Sequence, residues 1–189
     1  MAHPARSPDS DPWPWPVSID QIPETGLHVA FEATEAQRAA LASAAGLRTV
    51  ERAAASFELS HAGSGKVNVV GQVTARVGQT CVVSLDPIEN QIDEPIDLVF
   101  APEADIPRLS STVDDEAESD EIPDPPEPIV NDVIDLGRVA TDALFLGIDP
   151  YPRKPDAVFE QPVVAADPED HPFAALKALK AGKTPPDSD

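Results

Sequence analysis

Two hydrophobic periods alternate along this chain. Apolar residues at every second position predict strands, and apolar residues three or four apart predict helices. Val17-Ser18-Ile19 reads as a short strand, and Leu27–Phe31 as another with Leu27, Val29 and Phe31 on one face. Thr34-Glu35-Ala36-Gln37 then has the form of a capping box, in which Thr34 accepts from the Gln37 amide and the Gln37 side chain reaches back. The helix it opens runs through Ala39, Ala40, Leu41 and Ala44 and stops at Gly46.

Period two returns afterwards. Ala53, Ala55, Phe57 and Leu59 alternate with Ala54, Ser56, Glu58 and Ser60. His61-Ala62-Gly63-Ser64-Gly65 predicts a turn, and Val67, Val69, Val73, Ala75 and Val77 resume the alternation. Gly71 interrupts that row and suggests a bulge or a barrel bend. Cys81–Leu85 reads as a further strand broken by Asp86-Pro87, and Ile92–Phe100 closes the set. Strand, turn and strand at this spacing imply an antiparallel meander rather than βαβ units. Asp135 can cap a second helix, with Leu136, Val139, Ala140, Ala143 and Leu144 on one face and Asp149-Pro150-Tyr151-Pro152 beyond it. A third helical stretch, Asp170–Ala181, sets Phe173, Leu176 and Leu179 on one face with Lys177 and Lys180 beside them. About a dozen residues are marginal as an isolated helix, so this stretch is expected to dock on the body or on a partner.

The fold class is therefore α+β: an antiparallel bent sheet or partial β-barrel flanked by helices, with a disordered acidic loop. A Pro-rich arm spans 1–16, a single α+β domain 17–160 with an acidic insert at 110–128, and a Pro-rich linker and amphipathic helix 161–189. The arm contains Pro12-Trp13-Pro14-Trp15-Pro16; its two indoles are either a docking element or packed on the domain itself, and burial of such large apolar bodies favours packing. Residues before about Asp11 and the terminal Thr184–Asp189 are expected to be disordered.

Charge sharpens this outline. The 189 residues hold 34 Asp and Glu against 13 Lys and Arg, a formal net charge of −21. Eight acids and no base lie between Thr112 and Pro128, a stretch shared with four prolines, which predicts a disordered loop over Ser110–Pro128. A second base-free stretch, Gln79–Pro107, carries Asp86, Glu89, Asp93, Glu94, Asp97, Glu103 and Asp105. Such acidity argues against an extended phosphate-binding surface and favours basic partners. No run approaches the ~18 apolar residues of a membrane span, and the first residues lack the apolar region of a secretory signal, so cytoplasmic residence without membrane contact is expected.

The chemistry that would mark an enzyme is sparse. His3, His28, His61 and His171 are dispersed, and the single Cys81 has no His or Cys neighbour, so no metal is expected. Cys81 reads as a small buried hydrophobe, since no base is signalled near it. Gly63-Ser64-Gly65 lacks the nucleophile-elbow setting, and there is no phosphate loop or dinucleotide fingerprint. No catalytic residue, metal ligand or cofactor is assigned. Among the bases, Arg76, Arg153 and Lys154 are the candidates for touching phosphate.

The ordered series Gly71–Val77, Cys81–Ile88, a strand ending at Phe100, Asp135-Leu136-Gly137 through Asp142-Ala143-Leu144 to Asp149–Pro155, and His171–Leu176 resembles the YceD-like family, named for large ribosomal RNA subunit accumulation. The acidic insert between the blocks fits, and the first helix with Leu41-Ala42 and Gly46-Leu47 is similar to the alphaproteobacterial branch. The resemblance implies a role in synthesis, processing or stability of large-subunit ribosomal RNA, in a family whose gene commonly adjoins one for a small basic ribosomal protein. Some members carry a pair of Cys-containing motifs; only Cys81 is present here, so a metal-binding version is not implied.

Three functions follow as expectations. The first is a non-enzymatic ribosome-biogenesis factor that binds a basic ribosomal protein or large-subunit assembly intermediate. It would act through Asp114, Asp115, Glu116, Glu118, Asp120 and Glu121 and through the stripe Phe173, Leu176 and Leu179. The second is direct RNA binding through Arg76, Arg153 and Lys154, with contacts that are local and weak. The third is an RNA-processing hydrolase, which needs a carboxylate cluster that the sequence does not display.

Overall fold

The computed structural model describes residues 11–106 and 125–159. Every element below belongs to a compact unit ending at Ala157; of the second unit, Val158–Asp189, only Val158 and Phe159 are described. The expected helix over Asp170–Ala181 lies outside the described residues.

The centre is a five-stranded sheet in the order β2-β3-β4-β5-β6. Its strands are β2 (Leu27–Glu32), β3 (Thr49–Gly63), β4 (Lys66–Thr80), β5 (Pro87–Pro102) and β6 (Glu127–Ile129). The first four form the expected antiparallel meander. With 15, 15 and 16 residues, β3 to β5 each run roughly 50 Å at a strand's rise per residue. Alternation decides which face is buried: Phe57 and Leu59 of β3, Val67, Val69, Val73 and Val77 of β4, and Ile92 and Ile96 of β5 all turn to one side. Helices α1 (Glu35–Ala45) and α2 (Leu136–Leu146) add to that core. Leu41 comes from α1, and Leu136, Ala140 and Leu144 from α2. The capping box forms as the sequence implies, with Thr34 Oγ1 accepting from Gln37 N at 3.3 Å and Gln37 Oε1 accepting from Thr34 N at 2.9 Å. Gly46 ends α1 at φ +65°.

Several local expectations are corrected. The sheet is open and does not close into a barrel, and it is antiparallel except at β6: β2 covers only Ala54–Leu59 of β3, and most of the far side of β5 has no neighbouring strand among the described residues. Gly71 makes no bulge, since Phe57, Gly71 and Ile96 stand in unbroken register. A Cβ there would collide with the Ser56 carbonyl and the Phe57 ring, so the glycine makes room for that ring. The register shifts lie instead between Val50 and Arg52 and between His61 and Gly63. His61 remains paired with Val67, which confines the turn to Ser64-Gly65.

Cys81–Leu85 is the turn joining β4 to β5, not a strand. Ser84 and Asp86 side chains bond locally there and compete with a ladder, and Leu85 adopts φ +61°. Ile19 opens a 3-10 turn, Ile19–Gln21, after β1 (Pro16–Ser18) instead of extending the strand. The loop expected over Ser110–Pro128 is shortened at its end, because Glu127 and Pro128 belong to β6, which pairs parallel to Phe100–Pro102. Residues 107–124 lie outside the described residues.

The N-terminal arm is held by the same residue that starts α2. Strand β1 pairs antiparallel with β7 (Val133–Asp135) in a two-stranded sheet. Asp135 Oδ1 accepts from Gly137 N at 3.0 Å and Arg138 N at 3.3 Å, capping α2, and also from Trp15 N at 2.9 Å. Leu136 N donates back to the Trp15 carbonyl at 3.0 Å. Trp13 is fully buried and meets Phe31 edge-on at 5.1 Å, while Trp15 stacks on the same ring at 4.5 Å. The arm crosses α2 where Gly137 has no side chain: a Cβ there would overlap the Trp13 carbonyl and lie 2.5 Å from Trp15 N.

Gly137→Ala therefore forces the arm off the helix. It is expected to cost about 1–3 kcal/mol, the usual penalty for overpacking, and Asp135→Ala about 1–2 kcal/mol as a lost cap. Both variants should red-shift tryptophan emission, because both indoles of the chain sit in this arm. Chemical unfolding with fluorescence detection checks both, and wild-type emission and midpoint in Gly137→Ala would contradict the packing described.

Candidate partner-binding surface

The solvent side of the sheet is set by the same alternation that fills the core. On β5, Ile92 and Ile96 point inward, so Glu89, Asp93 and Asp97 point outward and all three are exposed. They form one acidic row along the border strand. Asp93 accepts from the Gln72 side chain of β4 and stays exposed. Charge on the neighbouring strands is mixed: Arg76 of β4 stands between Arg52 of β3 and Gln91 of β5, and Arg52 pairs with Glu32. That ion pair is exposed on both sides and contributes ~0–1 kcal/mol.

A second polar cluster closes the end of the meander. Cys81 is buried, but its sulfur accepts from Lys154 N at 3.3 Å and from Ser84 N at 3.4 Å. Val82 N donates to the Pro152 carbonyl at 2.9 Å, which zips the β4–β5 turn to the segment after α2. Lys154 Nζ lies 3.2 Å from Asp86 Oδ2, and Ser84 Oγ donates to the same oxygen at 3.1 Å. The Lys154 amide, followed by the Ser84 contacts, lowers the Cys81 thiol from 9.0 to about 6 against the opposing effect of burial. The Asp86 carboxyl is also lowered, first by its hydrogen bond from Lys154 and then by Ser84. Buried Gln79 adds a further tie, donating to the Asp149 carbonyl at 2.8 Å and accepting from Asn90 at 2.6 Å. Cys81 is thus more than a small hydrophobe: its sulfur anchors two backbone amides. The sequence held a signal for this in Ser84 and Asp86 beside the cysteine, but Lys154 is 73 residues away.

The three bases proposed for RNA do not form one patch. Arg153 and Lys154 lie beside the Cys81 turn, and Lys154 is engaged with Asp86. Arg76 is five strand positions before Cys81, roughly 17 Å along β4. Asp114, Asp115, Glu116, Glu118, Asp120 and Glu121, and likewise Phe173, Leu176 and Leu179, lie outside the described residues. Glu89, Asp93 and Asp97 were legible only as part of a base-free stretch. Their four-residue spacing against Ile92 and Ile96 is the pattern that places them on one exposed face. Among the described residues, no three His, Cys, Asp or Glu side chains converge as a metal site, and no helix is long and apolar enough to cross a membrane.

An open, mostly antiparallel sheet with two helices packed into its core and an acidic row on β5 defines a protein of the α+β class. The family profile for "Large ribosomal RNA subunit accumulation protein YceD" matches residues 69–180, from within β4 to beyond the described residues. The chain belongs to the YceD family. No curated protein and no solved structure matches it significantly.

The Cys81 environment gives a pH prediction. A thiol lowered to about 6 in the folded state and near 9.0 when unfolded stabilises the fold fully above pH 9, and that contribution is lost as pH falls through 6. The melting-temperature difference between wild type and Cys81→Ser should grow from pH 6 to pH 9 and then level off. Thiolate absorbance should titrate near 6 in the native protein; a native midpoint near 9 would show that burial outweighs the two amide contacts.

Proposed function

We propose that this protein is a non-enzymatic ribosome-biogenesis factor that supports accumulation of large-subunit ribosomal RNA by binding a basic ribosomal protein or an assembly intermediate. The family supplies the process. The observation that carries the partner class is the exposed row Glu89, Asp93 and Asp97 on a border strand within a stretch, Gln79–Pro107, that contains no Lys or Arg. A surface of one sign attracts the opposite sign, speeds encounter and is screened by salt. Residues 107–124 add seven acids against the single Arg108, and their charge reinforces the same preference. Direct RNA binding has weaker support, because Lys154 is engaged by Asp86 and Arg76 shares its face with Asp93.

The test is capture of tagged full-length protein from growing cells, with ribosomal precursors fractionated at low and high salt and with or without ribonuclease. Large-subunit precursors and basic ribosomal proteins should be retained at low salt and lost at high salt, with the proteins surviving ribonuclease. Deleting residues 114–124, which spares β6, should weaken capture several-fold at low salt and little at high salt. Capture abolished by ribonuclease would favour the RNA reading, and equal capture by the deletion variant would remove the segment from the mechanism.

A further inference from the structure

The far edge of β5 displays backbone as well as charge, and the direction of its amides follows from two hydrogen bonds. Within a strand, the N–H and C=O of one residue point to one side and those of the next residue to the other. Ala33 N donates to the Ala53 carbonyl at 2.9 Å, so the odd-numbered residues of β3 from Ala53 to Leu59 face β2. Arg48 N donates to the Gly78 carbonyl at 2.9 Å, so the even-numbered residues of β4 face β3. The unbroken register of β4 with β5 then joins odd residues of β4 to even residues of β5. The odd residues of β5 turn their N–H and C=O away from the sheet.

Pro87 and Pro95 are odd-numbered, so their missing N–H groups remove no bond from the β4 ladder, which is where proline is tolerated in a sheet. Strand β6 occupies this edge only from Phe100 to Pro102. Between them, Glu89, Gln91, Asp93 and Asp97 offer N–H and C=O, and Pro95 offers a carbonyl alone. No described strand pairs with this side of them.

Open edges recruit other strands unless something guards them, and charge is one such guard. Here the guard is selective. A second copy pairing edge to edge would set Glu89, Asp93 and Asp97 against like charges. The chain's own residues 107–124 meet the same repulsion, with seven acids and one base. A Lys- or Arg-rich strand meets a carboxylate at every fourth residue of the edge, at Glu89, Asp93 and Asp97. We propose that the β5 edge from Glu89 to Asp97 accepts an extended basic segment of a partner protein as an added strand, with its bases on the solvent face and small apolar residues on the other. Main-chain bonds supply affinity and the acidic row supplies selectivity. The inference rests on the proposed function and gives that partner a geometry.

The probe is an eight-residue peptide of alternating Lys and Val with blocked ends, added to isotope-labelled full-length protein at low salt. Saturating peptide should slow amide exchange at Glu89, Gln91, Asp93 and Asp97 by about tenfold or more and leave the even-numbered amides of β5 unchanged. The Glu-Val counterpart should leave all of them unchanged. Gln91→Pro removes one edge donor without touching the ladder and should weaken the peptide about tenfold at an unaltered melting temperature. The pair Asp93→Lys with Asp97→Lys, which keeps the backbone intact, should weaken it at least as much. Absence of binding, binding without protection at the four amides, or wild-type affinity in the charge-reversed protein would overturn the proposal. If cellular capture of basic ribosomal proteins persists after such a result, the edge assignment falls and the partner class stands. Loss of that capture with the peptide result intact removes the partner class alone.

Discussion

The carboxylate of Asp135 is the point on which the described fold depends. One oxygen takes the first free amides of α2 and the amide of Trp15, so starting the helix and seating the arm are a single event. An uncapped helix start buried under an arm would leave donors without partners, which costs more than the bonds themselves return. The seated arm in turn carries Trp13 onto Phe31, whose ring contacts Phe57 in the middle of β3 at 6.0 Å. A polar interaction at one edge thereby decides whether the apolar faces of α2 and the long meander share one core.

Much of this was legible in the residues. The capping box at Thr34 and Gln37, the Gly46 stop and the inward rows of β3, β4 and β5 follow from spacing alone, because strand and helix periods are local properties. Asp135 was legible as a cap; its bond to Trp15 was not, because pairing between distant segments leaves no periodic trace. Gly71 shows the same limit. A glycine in a strand signals close approach, but only the register reveals that the approaching group is Phe57 on the next strand. Cys81–Leu85 alternated like a strand, yet Ser84 and Asp86 supplied side-chain partners that a ladder would have had to displace. The parallel strand β6 was hidden in a proline-rich acidic context, where composition and pairing point in opposite directions.

The charge of the chain is organised by this architecture. Along β5, alternation sorts a base-free stretch into isoleucines that stabilise the sheet and the carboxylates of Glu89, Asp93 and Asp97, which face outward, while Glu94 lies with Ile92 on the side of α2. The family links the chain to the large ribosomal subunit, whose RNA would repel such a surface. The acidic row and the polyanion are reconciled if they compete for the same basic ligands. The two bases beside the Cys81 turn lie near the Glu89 end of that row, where Lys154 is already engaged with Asp86, whereas Arg76 stands farther along β4.

The bond between Trp15 and Asp135 spans 120 positions of the chain, and this has a consequence for the order of assembly. The arm is made before the meander, yet its partners on β7 and α2 emerge from synthesis only after it. Contacts between such distant positions come late because loop closure must precede them. During synthesis the sheet can align strand by strand through nearest-neighbour hairpins, while the first tryptophans wait exposed. A segment made before the meander is thus buried after it, and its docking joins the two ends of the described fold.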